Sequence, residues 1–362
     1  MRCKGYSRWR ILARRLLSTL PLGRPLMLDA LTRLSAQIGA DPMLVQGGGG
    51  NTSCKAPDGR LWVKGSGTWL SRAQEKPIFT AVDLNAARAA IDSDADDPMA
   101  GLFDPDAPLR PSIETTLHAL MPHAVVLHMH SIRTLAWAVR ADGPERVAER
   151  LDGLRWAWIP YRRPGAPLTQ AVRAAMGESP DVLILANHGL VVGGADCAAA
   201  EALLAEVERR LDQPYKHYDE SDLSHVSEVA PDADYRLPTH AVAQTLAMDP
   251  LLLPKLNDSV LYPDHAVYLG PGCCVAMGEQ GWHPARDAYK VTYGVDPAFI
   301  IWEGRGTWVR EELKPGGEEM LRALALLANR LEPRAELATL NDREVADLLD
   351  WDAEKFRQSL DA

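Results

Sequence analysis

Apolar residues recur at helical spacing in "MLDALTRLSAQIGA" from Met27, which predicts an opening helix. The Gly-rich "VQGGGGNTSCK" reads as a turn, and "RLWVKGSGTWL" as strand, turn and strand. Helical patterns return from about Val82 to Ser93 and in the short "SIETTLHAL", for which Pro111 and Ser112 supply a start signal. "AVVLHMHS" reads as a strand and "LTQAVRAAM" as a helix. "DVLILANHGLVVGG" reads as a buried strand running into a turn, and "CAAAEALLAEVERRL" as a strong helix.

This alternation predicts a layered α/β domain over residues 27–225, and by itself it favours a parallel sheet. The polar, Pro-containing "YDESDLSHVSEVAPDADYRLP" marks the expected boundary. Beyond it, "AVYLGPGCCVAMG" and "PAFIIWEGRGTWV" read as strands with Gly turns, followed by helices near Glu318–Arg330 and Arg343–Leu360. Residues 226–362 are thus expected to form an α+β region that completes a pocket or an oligomer. No internal repeat or low-complexity tract is present.

Composition narrows the class. The chain has 362 residues, with 46% apolar and 24% charged side chains, as in soluble globular proteins. No apolar run approaches the roughly 20 residues a membrane helix needs. A formal net charge of −10 argues against non-specific binding of nucleic acid or anionic membrane. It leaves room for a small anion in a locally positive pocket. The five cysteines (Cys3, Cys54, Cys197, Cys273, Cys274) are odd in number and form no CxxC pair. A disulfide framework or a cysteine zinc site is therefore not expected, and a reducing cytoplasm fits best. Seven Arg and Lys precede the first acidic residue, Asp29. With no apolar core and no cleavage site, residues 1–26 read as a basic, disordered extension rather than a targeting segment.

Candidate chemistry centres on "HMH". Side chains alternate along a strand, so His128 and His130 share a face and can ligate one ion. His188 ends an apolar run at a Gly turn, and Glu114 lies fourteen residues before His128. Three histidines and a carboxylate suit a divalent ion, above all zinc. "GGGGNTS", "KGSG" and the helix start at Ser112 offer backbone N–H groups to an anion such as phosphate. The order is not that of a nucleotide P-loop. His118 follows Glu114 by one turn and reads as structural or as a hydrogen-bond partner of a ligand. Cys54 shows nothing that would activate it, Cys273 and Cys274 read as small apolar side chains, and Pro263–His265 reads as turn chemistry.

Taken in order, "GGGGNTS", "VKGSG", "PSIET", "HMH" and "NHG" resemble the class II aldolase/adducin family over about residues 27–225. The likeness extends to the aldolase portion of the bifunctional rhamnulose-1-phosphate aldolase/dehydrogenase proteins, through a downstream "PDH" and the closing "LLDWDAEKFRQSL". On that likeness the dehydrogenase half is expected to be absent. The resemblance implies a three-layer α/β/α fold with a mixed, largely antiparallel sheet, and a homotetramer with active sites between subunits. It implies His128, His130 and His188 as metal ligands, and Glu114 as a catalytic carboxylate that also touches the metal. Asn51, Ser66, Gly67 and Ser112 look like the phosphate cradle. An acid from a neighbouring subunit is implied but no motif places it; Tyr161 and the C-terminal segment are candidates. Many family members carry two serines before the glutamate, whereas this chain has Ser112 and Ile113, so one phosphate hydroxyl is missing. The expected activity is reversible cleavage of a ketose phosphate, or a related ketose or sugar acid, through a metal-stabilised enediolate. Epimerase, decarboxylase or dehydratase chemistry on the same scaffold, or adducin-like binding without catalysis, are the alternatives.

Overall fold

A computed structural model describes residues 26–92, 99, 102–103, 108–219, 223, 226, 230–278 and 281–360. Residues 1–25 of the segment expected to be disordered (1–26), and residues 220–222, 224–225 and 227–229 of the polar boundary segment, lie outside the described residues; Leu26 opens the first helix.

The first half of the chain builds one seven-stranded sheet. Its strands are β1 (Asn51–Lys55), β2 (Arg60–Lys64), β3 (Phe79–Asp83), β4 (Val125–Met129), β5 (Trp156–Ile159), β6 (Val182–Leu185) and β7 (Gly189–Gly194). The spatial order is β3-β2-β1-β4-β7-β6-β5. Every pairing is antiparallel except β5–β6. The parallel sheet favoured by the strand–helix alternation is therefore corrected, and the mixed, mainly antiparallel one stands. The physical reason is connection length. Four residues join β1 to β2 and three join β6 to β7, which suffices for a hairpin but not for a crossover. The one parallel pair, β5 and β6, is joined through the helix Ala166–Ala175, long enough for the crossover that parallel pairing needs.

Helices cover both faces of this sheet. Val125, Leu127 and Met129 of β4 pack among Leu31, Leu34 and Leu204 from the helices Leu26–Ala40 and Cys197–Leu211. Val126 packs on the other face with Leu117, Leu168 and Val172, from the helices Thr115–Leu120 and Ala166–Ala175. Each such buried side chain contributes about 1.5–3 kcal/mol relative to exposure. A one-residue slip would turn them all to the wrong face, so the register of β4 is firmly set. His128 shares the parity of Val126 and therefore faces the Thr115–Leu120 helix.

The rest of the chain adds a four-stranded sheet ordered β8-β11-β10-β9: Tyr235–Arg236, Gly306–Arg310, Phe299–Trp302 and Cys274–Ala276. The helix Pro315–Ala328 packs between it and the first half, against Ile132, Leu135 and Val139. The chain thus carries an α+β region beyond its α/β layer. Among the described residues no helix is long and apolar enough to cross a membrane.

Several local readings change. The "TWL" stretch is not a strand, because Gly67 (φ 70°) and the Thr68 hydroxyl donating to Gly65 O fold it into a turn followed by a single 3-10 turn at Leu70–Arg72. The helix expected from Val82 starts at Leu84, capped by Asp83, and the residues before it form β3. "AVYL" belongs to the helix Pro263–Leu269: Pro263 at its start and Asp264 in its first turn outweigh the β-prone side chains. The last expected helix is two, Asp342–Leu349 and Asp352–Ser359.

Asn187 ties the halves together. It occupies the left-handed region (φ 54°) in the β6–β7 turn, and its Nδ2 donates to Leu261 O at 3.0 Å and Ala338 O at 2.6 Å. Asn187→Ala would lose a residue tolerant of that backbone and leave two carbonyls without their donor. The expected loss is about 3 kcal/mol of stability, read from the urea midpoint. A change below about 1 kcal/mol would show that these two bonds do not join the halves.

Candidate metal centre

The centre forms where β4 ends. Antiparallel register places Asn51 of β1 directly opposite His128 of β4. Across them lies Glu114, at the N-terminal end of the Thr115–Leu120 helix. Asn51 Nδ2 donates to Glu114 Oε2 at 2.6 Å, and His128 Nε2 lies 3.4 Å from the same oxygen. His188, in the tight β6–β7 turn, brings Nε2 to 3.5 Å from Glu114 Oε1. His130 follows β4 by one residue. One nitrogen from each of His128, His130 and His188 lies within 4.8 Å of the others, and all three rings are buried. The sequence-predicted ligand set is therefore assembled by the fold.

The glycine loop has a second use besides its N–H groups. A side chain at Gly49 would place Cβ 2.8 Å from His130 Nδ1, and at Gly50 (φ 63°) 2.9 Å from His128 O. Only bare backbone fits against the two histidines. Ser66 and Ser112 are brought together because Gly65 and Pro111 form an antiparallel bridge. Ser112 accepts the Glu114 N–H on its hydroxyl at 3.2 Å. Asn51, Ser66, Gly67, Ser112 and Glu114 all line one cavity with His130 and His188, and Ile113 takes the place where a second serine was expected.

The donor atoms fit a divalent ion. His128 Nδ1 lies 3.0 Å from Leu190 O, a group that only accepts, so the proton sits on Nδ1 and Nε2 carries the lone pair. Nε2 of His128 and Oε1 of Glu114 are buried without a hydrogen-bond partner. Burial lowers the affinity of His128 for a second proton, and lowers that of His188 well below the usual histidine range. Neutral imidazoles beside a carboxylate are the donors zinc prefers.

Sequence reasoning missed four residues of the same cavity: Lys64, Asp264, Glu354 and Arg357. Asp264 Oδ2 lies 3.0 Å from His130 Nδ1, and its other oxygen pairs with Arg357 of the Asp352–Ser359 helix. Burial would raise the Asp264 carboxyl, but Arg357 and then His130 hold it well below the usual range. Burial raises Glu354, whose Oε2 lies 2.7 Å from Arg357 Nε. The reading of Pro263–His265 as turn chemistry is thus replaced by a helix start that carries a site carboxylate. The only available signal was the "PDH" likeness itself. These side chains leave a cavity of about 30 Å³.

Other candidates stand apart. His118 Nδ1 pairs with the Ser53 hydroxyl at 2.8 Å and reaches no ligand. Tyr161 is packed with Leu340, Val345 and Leu348, away from the cavity lining. Burial pushes the Cys54 thiol up to about 12, which suits an inert core residue. His265 and Cys273 face each other at 3.6 Å inside the apolar core.

Residues 30–214, about half of the chain, match the family described as "Class II Aldolase and Adducin N-terminal domain". The chain belongs to this family. It is 34% identical over 187 residues to the Bacillus subtilis (strain 168) protein called uncharacterized oxidoreductase YuxG, a match covering 47% of this chain and 27% of that one. The matched part thus spans about a quarter of that relative. Among solved structures it is similar to the N-terminal class II aldolase domain of a conserved protein from Thermoplasma acidophilum. That likeness has 27% identity, covers 53% and 94% of the two chains, and has a TM-score of 0.45. It is also similar to l-fuculose-1-phosphate aldolase from Thermus thermophilus, with 17% identity, 52% and 93% coverage and a TM-score of 0.37.

One buried cation in this class II aldolase/adducin family member titrates unusually. Lys64 donates to Gly48 O at 2.7 Å and Thr68 O at 2.6 Å, and burial lowers its pKa to about 7. Between about pH 7 and 10.5 the unfolded chain holds the Lys64 proton and the folded one does not, so this residue makes stability rise with pH. Lys64→Met should remove that contribution. The wild-type-minus-variant stability should climb by about 1 kcal/mol per pH unit across the window, measured by denaturant titration at each pH. A flat difference would mean that Lys64 stays protonated in the fold.

Proposed function

We propose that this chain is a metal-dependent lyase that reversibly cleaves a ketose 1-phosphate, or a closely related ketose or sugar acid. The observation that carries the reading is the convergence of Glu114 with His128, His130 and His188 in one buried centre.

In this reading the three histidines hold a divalent ion, zinc by the character of the donor set, with Glu114 beside it. When bound, the ion supplies Lewis acidity, stabilising negative charge that develops on the substrate's carbonyl oxygen as the C–C bond breaks. Cleavage leaves an aldehyde on one side of that bond and an electron pair on the carbon next to the carbonyl. Glu114 returns a proton to this carbon in the cleaving direction and takes it in the condensing direction. The Asn51 amide keeps the carboxylate aimed at that point. Ser66, Gly67 and Ser112 receive the phosphate through N–H and hydroxyl groups. Ile113 supplies no hydroxyl, which favours a substrate whose anion is held at fewer points. The Asp352–Ser359 helix forms one wall of the cavity through Glu354 and Arg357, so it borders the place a substrate would take. Leu360 currently lies against Gly67. A cytoplasmic homotetramer is the assembly and setting that this reading carries.

The test pairs wild type with Glu114→Gln. Both should bind about one divalent ion per chain, while release of triose phosphate from a panel of ketose 1-phosphates should fall about 10²- to 10⁴-fold in the variant. Full activity in Glu114→Gln would remove the assigned role. Epimerised rather than cleaved sugars would move the reading to a sister reaction, and no ion even with zinc offered would move it to adducin-like binding.

A further inference from the structure

The helix Pro263–Leu269 lies outside the residues that match the family, yet its first turn reaches the metal centre. Asp264 is buried and presents Oδ2 3.0 Å from Nδ1 of His130. It is not one of the clustered donors, which are three histidines only. Its other oxygen is taken by Arg357, and Oδ2, beside the imidazole, has no hydrogen-bond partner among the described residues. The absence of a side chain at Gly49 lets the loop close on the same ring nitrogen.

His128 offers a comparison two residues earlier in the chain. Its Nδ1 faces the Leu190 carbonyl, which fixes the tautomer and leaves Nε2 as donor. His130 follows the strand's last residue, Met129, and has a carboxylate where His128 has a carbonyl. An acceptor on one ring nitrogen fixes which nitrogen is protonated, holds the ring against rotation and strengthens the other nitrogen as a donor.

We propose that Asp264 is the positioning residue for His130. Its carboxylate fixes the imidazole so that Nε2 is the donor, and Arg357 fixes the carboxylate. The metal centre assembled by the family region is then completed by a residue from the region that follows it. This inference rests on the metal-centre reading above.

The test compares zinc affinity, by competition with a chromophoric chelator, and the visible spectrum of the Co2+-loaded protein. Asp264→Asn alone leaves the buried Arg357 with only one of its two carboxylates, Glu354, so the primary pair is Arg357→Met and the double variant Asp264→Asn/Arg357→Met. Arg357→Met keeps the carboxylate and sets the reference affinity for the pair. The double variant should bind about 10- to 100-fold more weakly than Arg357→Met and shift the Co2+ bands. A merely structural Asp264 would lower the melting temperature of the metal-free protein yet leave affinity and spectrum alone, and that result overturns the proposal. If the double variant does not fold, the same two readouts on Asp264→Asn decide by the same criteria. Wild type that takes up no zinc would instead overturn the metal-centre reading itself.

Discussion

The centre depends on keeping one carboxylate out of water. An ionised carboxylate is expensive to bury unless charge and hydrogen bonds compensate it. Glu114 is only 5% exposed, and its partners come from three separate places: Asn51 on β1, His128 on β4 and His188 in the β6–β7 turn. None of them reaches Glu114 unless the sheet is in register. The pairing of Asn51 with His128 across β1 and β4, and of His128 with Val191 across β4 and β7, is therefore a condition of the chemistry. The apolar alternation of β4 enforces it, since slipping by one residue would drive His128 into the opposite core. Packing energy thus sets the geometry of a polar site.

The region after the family match acts as the other side of that site. Asn187 hands two hydrogen bonds to it directly beside His188, so the turn that aims this histidine is also the turn that joins the halves. Asp264 and Arg357 then close the cavity from the Pro263–Leu269 and Asp352–Ser359 helices. The Arg357 guanidinium lies over the Tyr268 ring, which shields the pair further. Buried ion pairs rarely add net stability, because desolvation offsets attraction. Their usual return is specificity of arrangement, and here the arrangement locks the C-terminal helix over the centre.

Much of this was legible in the chain. The two-residue spacing of His128 and His130, the Gly turn after His188 and the helix start before Glu114 are local patterns with local causes, and the fold assembles them as read. What failed was only partly non-local. Strand–helix alternation favoured a parallel sheet, although the short β1–β2 and β6–β7 connections already required hairpins. The strand reading of "AVYL" failed because β-prone side chains were weighed above the proline that starts the helix. Asp264 could not be found from spacing at all. It is far from His130 in the sequence, and only the packing of the second half onto the first brings them together. Lys64 read as part of an anion loop, yet its ammonium is spent on two carbonyls.

Charge balance supplies a physical reason for an ion in this place. Three carboxylates (Glu114, Asp264 and Glu354) and two cations (Lys64 and Arg357) share one small cavity. The set is negative on balance, more so once burial has weakened the hold of Lys64 on its proton. Burial also raises Glu354, the sign of a group that resists adding another negative charge. Such a pocket would repel a phosphate or carboxylate, and in low dielectric the repulsion is strong. A divalent cation at the three imidazoles would reverse the sign. The same step that would give the centre its Lewis acid would let an acidic chain accept an anionic sugar.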